Sequence, residues 1–188
     1  MQWYLLTILF LFDGVPLKAL AADNTGLENQ ETNGFTDAQK TFQEEMLKAH
    51  NNYRKQHCVP SLVLDDGLSR GAQSYAKTLV KTNVFAHSTD RDNVGENLYK
   101  KSSSKALKLT GDKPTDSWYN EIKDYDFNKP GFSSAAGHLT QVLWKNSNKL
   151  GVGIAYSADE RIVYVVARYS PAGNVLEQFD ENVLSKCS

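Results

Sequence analysis

The hydrophobic period changes along this chain, and that change limits the fold more than any other feature. In the first part apolar residues recur at helical spacing. Phe42, Met46, Ala49 and Tyr53 form one stripe, and Leu68, Ala72, Tyr75, Ala76 and Leu79 form a second. Thr36 and Gln39 stand in capping-box positions ahead of the first stripe, and Cys58-Val59-Pro60 breaks the helix after Gln56. Asp65 or Asp66 caps the second helix. Pro114 opens a third, containing Trp118 and Ile122, and residues 137–145 make a fourth with Leu139, Val142 and Leu143. Trp118 and Trp144 read as core. Residues 151–157 and 162–169 are instead rich in Val, Ile and Tyr, and Ala158-Asp159-Glu160-Arg161 joins them as a hairpin. Helices early and strands late predict an α+β domain with an antiparallel sheet.

The 188 residues suffice for one such domain, and 40% hydrophobic content is enough to fill its core. The 21 Lys+Arg and 22 Asp+Glu nearly cancel, which excludes the strongly basic face of a nucleic-acid binder. Two cysteines exclude a small disulfide scaffold.

The N-terminus reads as a targeting segment. Residues Leu5 to Phe12 spell LLTILFLF, and Ala19-Leu20-Ala21 offers a signal-peptidase site. The expected organisation is a signal peptide over 1–21, a polar flexible lead-in over 22–35, one domain over 36–182 and a tail over 183–188. No second apolar run reaches membrane-spanning length, so a secreted, extracellular product is expected. That compartment permits disulfides. Cys58 and Cys187 either pair within the chain, pair between chains or stay free. Pairing within the chain closes a loop of about 130 residues, worth roughly 4–5 kcal/mol in the chain-entropy model.

Four short stretches then carry a family likeness. Gly137-His138-Leu139-Thr140-Gln141-Val142-Leu143-Trp144 and Tyr169-Ser170-Pro171-Ala172-Gly173-Asn174 resemble the two signatures of the CAP superfamily of cysteine-rich secretory proteins, antigen 5 and pathogenesis-related 1. His87-Ser88 and Gly95-Glu96-Asn97-Leu98 resemble its two other motifs, in the same order. Val165-Val166-Ala167-Arg168-Tyr169 and Glu181-Asn182-Val183-Leu184 are similar to the Golgi-associated pathogenesis-related branch, which lacks a signal peptide. The resemblance implies an α-β-α sandwich, with a three-stranded antiparallel sheet between helical layers. The third strand is expected to be short and near the central cleft.

The resemblance also implies a cleft tetrad of His87, Glu96, Glu121 and His138. Neutral imidazole binds metal through one ring nitrogen while a carboxylate fixes the tautomer through the other. His87 and His138 are therefore the expected ligands of zinc or another divalent ion, with no third protein ligand evident. Three readings follow. In the first, the protein binds rather than catalyses. In the second it is a metal-dependent hydrolase, with Glu96 or Glu121 as general base. In the third the cleft is a groove for a peptide or protein. The His–Glu pairs can also serve simply as braces. His50 and His57, on or just after the first helix, read as surface or boundary residues.

Tyr125, Phe127 and Phe132 resemble the sterol-holding loop of related members, with Pro130 and Gly131 as hinge. Three rings on a loop can cover a flat apolar molecule, so a sterol or small lipid is the expected ligand, with a defence, signalling or host-interaction role. An extracellular protein partner and a homodimer stay open; nucleic acid and an integral membrane segment are not expected. Lys100, Lys101, Lys105 and Lys108 read as a solvated basic loop.

Overall fold

The structure is a computed structural model and describes residues 34–91 and 93–187. The proposed signal peptide, and all but the last two residues of the lead-in, lie outside the described residues.

Helix α1 spans Asp37–Gln56, and its start is the capping box read from the sequence. The Thr36 hydroxyl accepts from the Gln39 amide at 3.2 Å, and the Gln39 side chain takes the Thr36 N–H at 2.9 Å. After strand β1 (Val63–Leu64), helix α2 (Asp66–Thr82) is capped by Asp65, whose carboxylate accepts from the Leu68 amide. Strand β2 (Gly95–Ser102) precedes α3 (Asp112–Tyr119), a 3-10 turn over Asn120–Asp124 and α4 (Gly137–Leu143). Strands β3 (Lys149–Tyr156) and β4 (Ile162–Ser170) form the expected hairpin, and a short α5 (Phe179–Asn182) follows. None of the described helices is long and apolar enough to cross a membrane.

Among the described residues the sheet has four strands, in the order β1-β3-β4-β2, and not the three expected. The addition is β1, which pairs in parallel with Lys149 and Leu150 over two residues, too few to show a period in sequence. The other three strands are antiparallel neighbours. Nor is β2 short: all eight of its residues pair with β4, so Lys100 and Lys101 belong to a strand and not a loop.

Alternation along β4 divides the core. Val163, Val165, Ala167 and Tyr169 join Phe42 and Met46 of α1, Trp118 of α3 and Leu139 of α4 on one face. Tyr164 and Val166 join Ala72, Ala76 and Leu79 of α2 on the other. Helices therefore flank the sheet on both sides. Helix α2 packs so close to β3 that a side chain at Gly151 would run into the backbone at Leu68 and Ser69, and one at Gly153 into that of Ala72 and Gln73. Beyond β1 the outer edge of β3 is paired by side chains. Gln43 donates to the Val152 carbonyl at 3.1 Å, and Gln73 both donates to and accepts from Ile154 at 2.8 and 3.0 Å. This covers an edge that would otherwise be open to strand addition.

Cys58 and Cys187 form a disulfide across 129 residues, tying the tail to the end of α1. Beside it the Cys187 amide donates to the Gln56 carbonyl at 3.0 Å.

Candidate functional site

Three successive residues of β2 organise the site. Glu96, with its side chain buried, accepts from His87 Nδ1 at 2.9 Å. It also accepts from the Ser88 amide at 3.0 Å and the Ser88 hydroxyl at 2.9 Å. Arg168, opposite it on β4, lies 3.6 Å from its second oxygen. Burial alone would push this carboxyl up. The hydrogen bonds from His87 and Ser88 outweigh burial and hold it below the usual carboxylate range.

Asn97, the next residue, donates from Nδ2 to the His138 carbonyl at 3.0 Å and to the Tyr169 hydroxyl at 3.3 Å. Leu98 follows, and its carbonyl takes the Trp118 indole N–H at 3.1 Å. The Trp118 ring stacks against the His138 ring, with centroids 6.1 Å apart.

His138 opens α4, and Glu121 holds it from the 3-10 turn. One carboxylate oxygen accepts from His138 Nδ1 at 2.6 Å, and the other from the His138 and Leu139 amides at 3.0 and 3.1 Å. Glu121 thus serves two amides of the first turn of α4, a place where donors lack partners within the helix. The tetrad is built as two His–Glu pairs; Glu96 belongs to the first, and Asn97 beside it bonds the His138 backbone of the second.

The chemistry of the pairs follows from their donors. An ionised carboxylate only accepts, so each Nδ1 carries the proton. In the neutral ring Nε2 then keeps its lone pair, the form that binds a metal ion. His87 is about half exposed and His138 about one-third. Among the described residues, no three His, Cys, Asp or Glu side chains are gathered closely enough to hold an ion. Each ring thus carries one nitrogen of the kind that suits zinc, and the described residues do not fit a three-ligand catalytic zinc centre.

The aromatic loop is less open than its sequence suggests. Tyr125 is buried, and Phe127 packs edge-on against it at 4.9 Å and stacks on His57 at 5.8 Å. Phe132 alone of the three is freely exposed, at 58%. A groove of about 640 Å³ lies elsewhere, between the start of α1, α2 and the end of β3. Phe42, Leu109 and Tyr156 are among its walls, and none of the sequence-predicted site residues line it.

Sequence reasoning set His50 and His57 aside, yet both are fully buried. His50 bonds the Met46 carbonyl through Nδ1 at 2.9 Å and the Tyr169 hydroxyl through Nε2 at 2.8 Å. Burial brings its pKa down to about 4. His57 bonds the Leu184 carbonyl and the Tyr119 hydroxyl. The available signal for His50 was its place four residues after Met46, on the apolar stripe.

Residues 47–169 match the model of the CAP, cysteine-rich secretory protein, family. The chain belongs to the CAP family. It is 48% identical over 151 residues to Golgi-associated plant pathogenesis-related protein 1 of Homo sapiens, covering 78% of this chain and 95% of that protein. It is 35% identical over 162 residues to Secreted protein RBT4 of Candida albicans, covering 84% of this chain and 42% of that one. The solved structure of BmVAL-1 shares the CAP fold at a TM-score of 0.63 and 23% identity, over 81% of this chain and 85% of its own.

Proposed function

We propose that this CAP-domain protein is a secreted binding protein, not a hydrolase. It offers two oriented imidazoles to a divalent ion such as zinc, and an aromatic loop to a sterol or small lipid. The observation that carries the reading is the commitment of both carboxylates to fixed donors of the protein. Glu96 accepts from His87 and from the Ser88 amide and hydroxyl, and Glu121 accepts from His138 and two amides. A general base must lie within reach of the water it deprotonates, and the Glu96 side chain is buried. These carboxylates act instead as orienting partners, and the groups they present are His87 and His138.

The ion would add a Lewis-acidic centre at the two rings. The chain's own part is to fix the Nδ1–H tautomers and to hold His138 by ring, amide and carbonyl at once. Secretion rests on the N-terminal sequence together with the likeness to a relative named as secreted.

Calorimetry with zinc tests the ion: uptake by the wild type should disappear in the His87→Ala/His138→Ala variant, and equal heats would end the claim. A sterol-binding assay on the Tyr125→Ala/Phe127→Ala/Phe132→Ala variant tests the loop. Unchanged binding would take these rings out of the account and leave the groove beside β3 as the place to look.

A further inference from the structure

We infer that Asn97 is the positioning residue of the site, with Tyr169 and His50 fixing its amide from behind. This rests on the reading of His87 and His138 as a paired binding site. The directions of the hydrogen bonds follow one from another. The Met46 carbonyl only accepts, so His50 Nδ1 donates to it at 2.9 Å. His50 Nε2 then accepts, and the Tyr169 hydroxyl spends its one proton there at 2.8 Å. The Tyr169 oxygen is left as an acceptor, which Asn97 Nδ2 meets at 3.3 Å while also donating to the His138 carbonyl at 3.0 Å.

The Thr115 hydroxyl also lies 3.1 Å from His50 Nδ1, where it can accept a share of the same proton, and the acceptor-only His138 carbonyl gives the Asn97 amide one orientation. Asn97, Tyr169 and His50 are almost wholly buried, so water does not compete for these bonds. Glu96, one residue earlier on the same strand, holds His87. The Glu96-Asn97 dipeptide therefore fixes one imidazole pair relative to the other, and it does so without Asn97 offering a ligand atom itself. Partners of this kind typically change metal affinity by about 10–100-fold when removed.

The test uses the whole protein and two variants, Asn97→Ala and Tyr169→Phe, the latter removing only a hydroxyl. Imidazole NMR signals are recorded without metal, and zinc affinity is then measured by calorimetry. In Asn97→Ala the His138 ring signals should move while those of His87 hold, and zinc should bind at least tenfold more weakly. Tyr169→Phe should show the same changes to a smaller degree. A protein that folds with unmoved His138 signals and a zinc affinity within twofold of wild type would overturn the inference. If the wild type takes up no zinc, the binding reading falls by itself, and the metal-free His138 signals decide the role of Asn97.

Discussion

Glu121 meets His138 at both ring and backbone: its carboxylate accepts from the ring Nδ1 at 2.6 Å and from the residue's own amide at 3.0 Å. One side chain therefore orients the imidazole and caps the helix that carries it. Glu121→Ala should destabilise the fold by about 1–3 kcal/mol, the cost of leaving such donors unpaired. Glu121→Gln, which keeps acceptors for the amides, should cost less. Urea denaturation separates the two, and equal stability of Glu121→Ala and wild type would refute the capping role.

Acid should weaken the fold through His50. Its folded pKa is about 4 against an ordinary value of 6.5, so between those values the unfolded chain binds more protons than the folded one. The stabilisation is complete above about pH 6.5 and is lost as pH falls towards 4. The full loss is about 3 kcal/mol. His57, also lowered chiefly by burial, acts in the same direction. Urea unfolding at pH 7, 5.5 and 4.5 should show the decline, and His50→Gln should flatten it. An equally steep decline in that variant would assign the effect elsewhere.

Arg54 is a buried cation held by carbonyls. It donates to Pro60, Val142, Trp144 and Ser147 at 2.7–2.9 Å, and burial brings its pKa down to about 10. Two of these carbonyls, Val142 and Trp144, sit at the end of α4, where helical N–H partners run out. Arg54→Met should cost about 3–5 kcal/mol, because the acceptors stay buried without donors. Arg54→Lys should recover only part, since one ammonium cannot span the fork. Thermal denaturation reads both, and a melting point unchanged in Arg54→Met would contradict the assignment.

Contact between α2 and β3 depends on the glycines of β3. Gly153→Ala places a methyl group against the backbone at Ala72 and Gln73, which cannot yield as a side chain would. A loss of about 1–3 kcal/mol is expected from such overpacking. A neutral result in chemical denaturation would mean that α2 moves away freely.

The sequence conveyed the elements whose period is unbroken. The stripe from Phe42 to Tyr53 became α1, and the Val-rich runs became β3 and β4. Strand β2 escaped because Gly-Glu-Asn-Leu-Tyr-Lys-Lys-Ser has no alternation. It is a strand because β4 pairs with it, an interaction between residues far apart in the chain. The tetrad members came from a family likeness, and that likeness says nothing of what supports them. Arg168 and Arg54 each left a trace, as a charge within an apolar strand and a charge on an apolar helix stripe. Asn97 stood within the motif Gly95-Glu96-Asn97-Leu98, but its role was not legible there, since it depends on where α4 docks.

The proposed binding site depends on which nitrogen of each cleft imidazole carries the proton. Long-range nitrogen–proton NMR on the metal-free protein near pH 8 reads this directly. His87 and His138 should both be protonated at Nδ1 and bare at Nε2. Protons found on Nε2 of both rings would contradict the carboxylate pairing and, with it, the site proposed for a ligand.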